Sequence, residues 1–534
     1  MPLTKKFILF IISLILLFVS FSGCLFEDIF FGGTEFSLQD YQIVDYNGFP
    51  ALFVKFSCSG TVTLKLTDAN SKLLDSDFFF NGDHETHLFL AEYYHSIMAG
   101  IYKIKVYDKN FKNIYSKSIA IQGSDLSILS SEQNWWKRDN PSIGYSLIGL
   151  NITVYNSGDV PCYPYEIDAY LDSTFISGKI LPSVILPGEV KSIFGVIYKD
   201  GIPKDDIFTL NVKDYDKDLL ATNSFSVEID DNVYEKEFKW SYNGLKSVKI
   251  PKHDFLYIYY LNLERLNIED YSLYVFNPYD EQFIDIINSG LLLGFGNDND
   301  VNKLNYASSF VQHLEYMEDS TELDYPRYPI ETIFNKKGGG DCEDKAILTA
   351  SILKNMGYNV SLLRLPDHMA VGVNLSADAI SDFNFYIDGY YFLETTTERN
   401  PCGFVPKEYK DLTSEVTVYP IIERPLLDHI WKDEIITIYK NTEQGDLVKV
   451  TVFVENLGSG TTNDIILEAG FFTLSGYKSL YEQTTISSLE PGMKKKVTLS
   501  VNIPKGIITT FKTRIIINGE VVDERESVDT FRSI

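Results

Sequence analysis

The chain has 534 residues, with 74 Asp or Glu against 47 Lys or Arg, a formal net charge of -27. Such an acidic surplus argues against a nucleic-acid partner, which needs a concentrated basic surface, and the length is too great for one hydrophobic core, so roughly three to five domains are expected. The five cysteines, Cys24, Cys58, Cys162, Cys342 and Cys402, lie too far apart for a zinc knuckle or a small disulfide framework, and neither metal nor cofactor is expected.

At the N-terminus, Lys5 and Lys6 precede an apolar run from Phe7 to Phe21 broken only by serines, followed by Ser22-Gly23-Cys24. A basic flank, an apolar core and small residues before a cysteine read as an export signal over residues 1–24. The segment resembles the lipobox of secreted lipoproteins, which implies lipidation at Cys24; uncut, it is just long enough to act as a spanning anchor. Either way the protein is expected to be held in the cell membrane, facing outside. No second apolar stretch of spanning length follows.

Residues 35–125 alternate apolar and polar side chains in short runs such as "GTVTLKLTDANSKLLDSDFFF". Period-two alternation between frequent turns predicts a β-sandwich of immunoglobulin type. Two further modules, 126–232 and 416–534, share punctuation: Asn156-Ser157-Gly158 matches Asn456-Leu457-Gly458, and Pro187-Gly188 matches Pro491-Gly492, with Asn and Pro 31 and 35 positions apart. Both read as hairpin turns, and the spacing resembles adhesion-type sandwich modules of cell-surface proteins.

From 233 to 415 the period changes. "DEQFIDIINSGLLLGF" and "VNKLNYASSFVQHLEYM" predict helices, the second with Leu304, Ala307, Val311 and Leu314 on one face. A third helix runs through "CEDKAILTASILKNM" to Gly357. Three strand-like runs follow, "YNVSLLRLP", "HMAVGVNL" and "FYIDGYYFLETT", the last turning at Asp388-Gly389.

Cys342 stands at the start of that third helix behind "GGGD". Asp341 suits the N-cap and Asp344 the capping-box position. Outward-pointing N–H groups and the helix dipole there favour a thiolate and offer donors to an oxyanion. Glu343 and Asp344 oppose this by raising the thiol pKa, so a cationic partner is needed. His368 begins the strand "HMAVGVNL" and can reach the helix end; Glu394, on the next strand, can fix its tautomer.

These stretches, together with the upstream "FVQHLEY" and "YPRYPIETI", resemble the transglutaminase-like domain of the papain-like cysteine hydrolase superfamily, in the form found in archaeal and bacterial surface proteins. The resemblance implies a Cys-His-acid triad in the chain order Cys342, His368, Glu394. Glu394 replaces the Asp of true transglutaminases, and Asp367 precedes the histidine where Gly is expected. It also matches Gln312 to a side-chain oxyanion donor, although helical periodicity sets Gln312 away from the apolar face, where a solvated glutamine fits equally.

The expected fold class is a multidomain chain with an α+β papain-like or transglutaminase-like core flanked by three immunoglobulin-like sandwiches. The expected function is that of a membrane-anchored extracellular cysteine hydrolase, acting on protein or peptide substrates at the cell surface through a thioester. The alternatives are amine transfer, which crosslinks proteins, and a non-catalytic adhesion or scaffold protein whose central domain binds peptide. "HETH" at 84–87, placed in a turn, is one residue short of the H-E-x-x-H metal motif, and "DYDKD" at 214–218 lacks the Gly and distal Glu of a calcium loop, so both are set aside. Cys58, Cys162 and Cys402 are expected to pack in cores.

Overall fold

The computed structural model describes residues 34–533 apart from short stretches at 172–173, 202–206, 230–232, 266–267, 294, 296–299, 320–324, 377–378, 381–385 and 443–444. The predicted signal and Cys24 lie outside the described residues. No helix among the described residues is long and apolar enough to cross a membrane.

Strands make up 53% of the structure and helices 14%, which overturns the expected α+β papain-like core. The chain is instead a predominantly β, multidomain protein with sandwich-like content. The physical reason lies in the lengths of the elements. Its helices run to only 6–14 residues, whereas the alternating runs extend to strands of up to 16 residues. Even the central region, read as helices followed by strands, opens on a hairpin, Glu235–Ser241 with Leu245–Pro251.

In the first part of the chain, Phe36–Tyr46, Phe49–Cys58 and Gly82–Phe89 form a three-stranded sheet, while Leu73–Phe79, Val62–Thr67, Gly100–Asp108 and Asn113–Ile121 form a four-stranded one. Alternation turns Val54 and Phe56 of one sheet and Val62, Leu64 and Leu66 of the other into a single shared core. An eight-stranded antiparallel sheet follows, built around Trp135, Leu150, Ile152, Val154 and Leu210. At the C-terminal end, three-stranded and four-stranded sheets again enclose one core, with Val450, Val452, Leu467 and Phe511 at its centre. Phe453 of this last part packs with Phe49, Ala51 and Phe89 of the first, and Lys449 and Lys496 reach Asp77 and Asp75 at 2.7 and 2.5 Å.

The repeated Asn-x-Gly motif does more than turn the chain. Asn156 is fully buried; its side-chain amide donates to the Val160 and Ile185 carbonyls at 2.8 and 3.0 Å and accepts from the Asp125 and Gly158 N–H groups. Asn456 repeats this bond for bond with Gly460, Leu489, Leu426 and Gly458. Each asparagine ties three separate chain segments, so the two copies share a bonding pattern although their Asn-to-Pro spacings are 31 and 35. "HETH" lies on a strand rather than in a turn, so its two histidines, three apart, point to opposite faces and cannot share an ion. Asp214–Asp218 forms a tight turn, closed by Asp218 N–H on the Asp214 carboxylate at 2.8 Å.

Among the described residues, five α-helices occupy the central region: α1 (Asp254–Leu261), α2 (Glu281–Leu292), α3 (Asp300–His313), α4 (Pro329–Phe334) and α5 (Cys342–Asn355). Beside them lies a five-stranded antiparallel sheet of β1 (Asn359–Leu365), β2 (His368–Asn374), β3 (Tyr386–Ile387), β4 (Tyr390–Leu393) and β5 (Thr417–Pro420), in the spatial order β3-β4-β2-β1-β5. The predicted α3 face of Leu304, Ala307, Val311 and Leu314 is buried, in one cluster with Ala346, Ile347, Ala350 and Leu353 of α5 and Val360, Leu362, Val371 and Val373 of the sheet. Gly357, at φ 92°, ends α5 as predicted. Asp388 and Gly389, at φ 48° and 89°, make the two-residue turn between β3 and β4. The N-terminus of α5 and the start of β2 thereby meet.

Candidate active site

Glycines shape the approach to α5. Residues 339–340 pair in parallel with Glu315–Tyr316, and a β-carbon on Gly339 would stand 1.9 Å from the Glu315 carbonyl oxygen. One on Gly340 would stand 2.1 Å from the Asp344 carboxylate. That carboxylate is fully buried and does not complete a capping box; it accepts from the Arg327 backbone N–H at 2.7 Å and from the Arg327 guanidinium. Burial pushes the Asp344 carboxyl up against the opposing pull of Arg327. Nor does the Asp341 side chain cap the helix, so the first-turn N–H groups keep no side-chain partner from it.

His368 and Glu394 come together. The His368 ring Nε2 lies 3.1 Å from Glu394 Oε2, and both side chains are buried. The other carboxylate oxygen of Glu394 accepts from the Thr395 and Thr396 N–H groups at 3.0 and 2.7 Å and from the Thr396 hydroxyl at 2.5 Å. Burial alone would raise the Glu394 pKa, but the bonds from His368 and Thr396 outweigh it and hold the carboxyl below its ordinary value. Tyr409 lies flat against the imidazole, with centroids 3.9 Å apart and planes within 4°. Glu394 therefore clamps one edge of the ring and Tyr409 covers one face, leaving Nδ1 as the nitrogen not held by the carboxylate.

The Cys342 sulfur is turned to Glu343, donating to its Oε2 at 3.2 Å rather than to His368. Burial raises the thiol pKa, and the charge and hydrogen bond of Glu343 raise it further; the Met369 backbone N–H, next in the chain to His368, opposes them. Burial raises the Tyr409 phenol, and the nearby charge of Glu394 raises it further. The thiolate expected from the helix start is thus opposed first by burial of the thiol and then by Glu343.

Gln312 is neither solvated nor free to bind an oxyanion. It is buried, and its amide donates to the Glu394 and Asn400 carbonyls at 2.9 and 2.8 Å, which commits both hydrogens. Lys345 was not singled out from the sequence, yet it is wholly buried and donates to the Gln312, Leu314 and Thr396 carbonyls at 3.2, 2.8 and 3.4 Å. Burial pushes its pKa down to about 8, although Glu394 opposes the shift. Gln312 and Lys345 together fasten the end of α3 to the turn that carries Glu394. A lysine among apolar positions of a predicted helix was the signal available for it. Tyr409 offered none, because its 3-10 turn lies far along the chain. Cys402 is buried, with burial raising its thiol to about 12, and Cys58, Cys162, Cys342 and Cys402 are all free thiols.

No family model matches the sequence, and no curated protein matches it. Among solved structures it is similar to a transglutaminase of red sea bream, with 10% identity over 71% of this chain and 79% of that one, at a TM-score of 0.15. A tetra-tandem repeat from the extending region of a large adhesion protein gives 10% identity over 92% and 98%, at 0.16. A family 2 β-glucuronidase gives 9% over 95% and 75%, at 0.17. Similarity at this level carries no argument about what the chain does; the reading of the site rests on its own geometry.

Proposed function

We propose that the central region is a cysteine acyl-transfer site that hydrolyses peptide or amide bonds, on an exported protein anchored by its N-terminal segment. The observation that supports this most is the buried His368–Glu394 pair, held by Thr396 and covered by Tyr409, beside a helix whose first residue is Cys342. A buried imidazole with one nitrogen fixed by a carboxylate is the arrangement a general base needs.

In the reaction, the Cys342 side chain rotates from Glu343 toward His368 and gives up its proton to the ring. The sulfur attacks the carbonyl carbon, and the first-turn N–H groups of α5 face the oxygen that becomes negative. The C–N bond breaks as the imidazolium returns its proton to the leaving amine, giving a thioester on Cys342. Water, deprotonated by His368, then releases the acid and the thiol. An amine in place of water gives transfer.

The glutamate contact acts as a restraint on this cycle. A site with a resting thiol turned to a carboxylate reacts only once that contact is broken. The test is incubation with a peptide library, read by mass spectrometry with and without an added primary amine. Hydrolysed products lost in Cys342→Ala support the reading, amine-coupled products select transfer, and unchanged peptides in both conditions refute acyl transfer.

A further inference from the structure

We propose that Asp319, Asp341 and Glu343 form a binding site for one hard divalent cation of the Ca²⁺ class, beside the thiol. One ligand atom from each of the three lies within 4.8 Å of the others. The cluster is not a solvated acidic surface. Asp341 is 8% and Glu343 7% exposed, and among the described residues neither forms an ion pair with Lys, Arg or His. Asp341 supplies an independent sign of a missing partner: its Oδ1 is buried with no hydrogen-bond donor, and its side chain leaves the helix N–H groups beside it uncapped. A buried carboxylate oxygen without a donor is costly unless something positive completes it.

The third carboxylate is fixed in place. Asp319 accepts from Arg327 Nη2 at 2.7 Å and from the Tyr325 N–H at 2.5 Å. Arg327 cannot neutralise the cluster, because its single charge is divided between Asp319 and the buried Asp344. Three carboxylate donors, all oxygen, suit a hard cation such as Ca²⁺ better than a soft metal. The N-terminus of α5 and Arg327 both oppose a cation, so the affinity belongs to the weaker class of about 10⁻⁴–10⁻³ M seen in extracellular modules.

Glu343 also contacts the thiol, so cation binding is measured with the thiol removed, which separates it from acyl transfer. Full-length Cys342→Ala protein is titrated with Ca²⁺ by calorimetry at physiological salt, alongside the same protein carrying Asp341→Asn or Glu343→Gln, with folding checked by circular dichroism. One saturable site, weakened at least tenfold by either carboxamide, is the expected result, together with a Ca²⁺-dependent rise in melting temperature that the variants lose. If Asp341→Asn does not fold, Glu343→Gln carries the comparison. Absence of saturation up to about 10 mM, or equal affinity in the variants, overturns the proposal.

Discussion

Replacing Glu343 by Gln should make Cys342 react faster. The carboxylate lies 3.2 Å from the sulfur; two charges at that distance interact by about 5 kcal/mol at an effective dielectric near 20. The thiol is only partly buried, so solvent screening reduces the term to about 1.4–2.7 kcal/mol, or about one to two pK units. Each unit raises the thiolate fraction about tenfold, but nucleophilicity falls with a Brønsted slope of about 0.4–0.5, leaving a rate gain near 4-fold for one unit and 12-fold for two. The assay is alkylation by iodoacetamide at pH 7, followed on the Cys342 peptide by mass spectrometry, with the buried Cys162 and Cys402 as internal controls. A rate in Glu343→Gln equal to or below that of the parent would show that the carboxylate does not restrain the thiol.

Other expectations follow from the same contacts. Lys345→Met leaves three carbonyls without their donor and should lower stability by about 2–4 kcal/mol, seen as a fall in the thermal transition and faster hydrogen exchange over residues 394–400. Asn456→Ala removes four buried hydrogen bonds and should cost about 2–4 kcal/mol in the last module, read as faster proteolysis there with the central region unaffected. The Glu394 pKa is depressed on folding, so its contribution is present above the ordinary value of 4.5 and is lost as pH falls through the lower folded value. Hydrogen exchange at Thr395 and Thr396 should accordingly stay slow at pH 5 and quicken only below 4.5; quickening already between pH 5 and 6 would contradict the assignment.

Much of the site was legible where a local rule and a tertiary demand coincide. Asp388-Gly389 turns a hairpin by its own backbone preference, and the α3 stripe of Leu304, Ala307, Val311 and Leu314 is buried because a 3.6-residue period needs a partner surface. His368 and Glu394 could be paired because adjacent antiparallel strands bring their ends together. Tertiary electrostatics were hidden. Asp344 has the position of a capping residue, but Arg327, 17 residues away, claims its carboxylate. Gln312 lies off its helix's apolar stripe yet is buried, since the 394–400 turn closes over it with two carbonyls needing donors. The fold class was misjudged for a related reason. Three helical runs dominated the reading of 233–415, while the long alternating strands elsewhere outweigh them in the whole chain.

The most direct measurement is the rate at which Cys342 is alkylated at pH 7 in Glu343→Gln and in the double variant Glu343→Gln/His368→Ala, so that the glutamate contact is absent from both. The account predicts that the alanine variant loses the acceleration and reacts no faster than a free thiol. Equal rates in the two proteins would contradict it, because the imidazole would then have no hold on the sulfur.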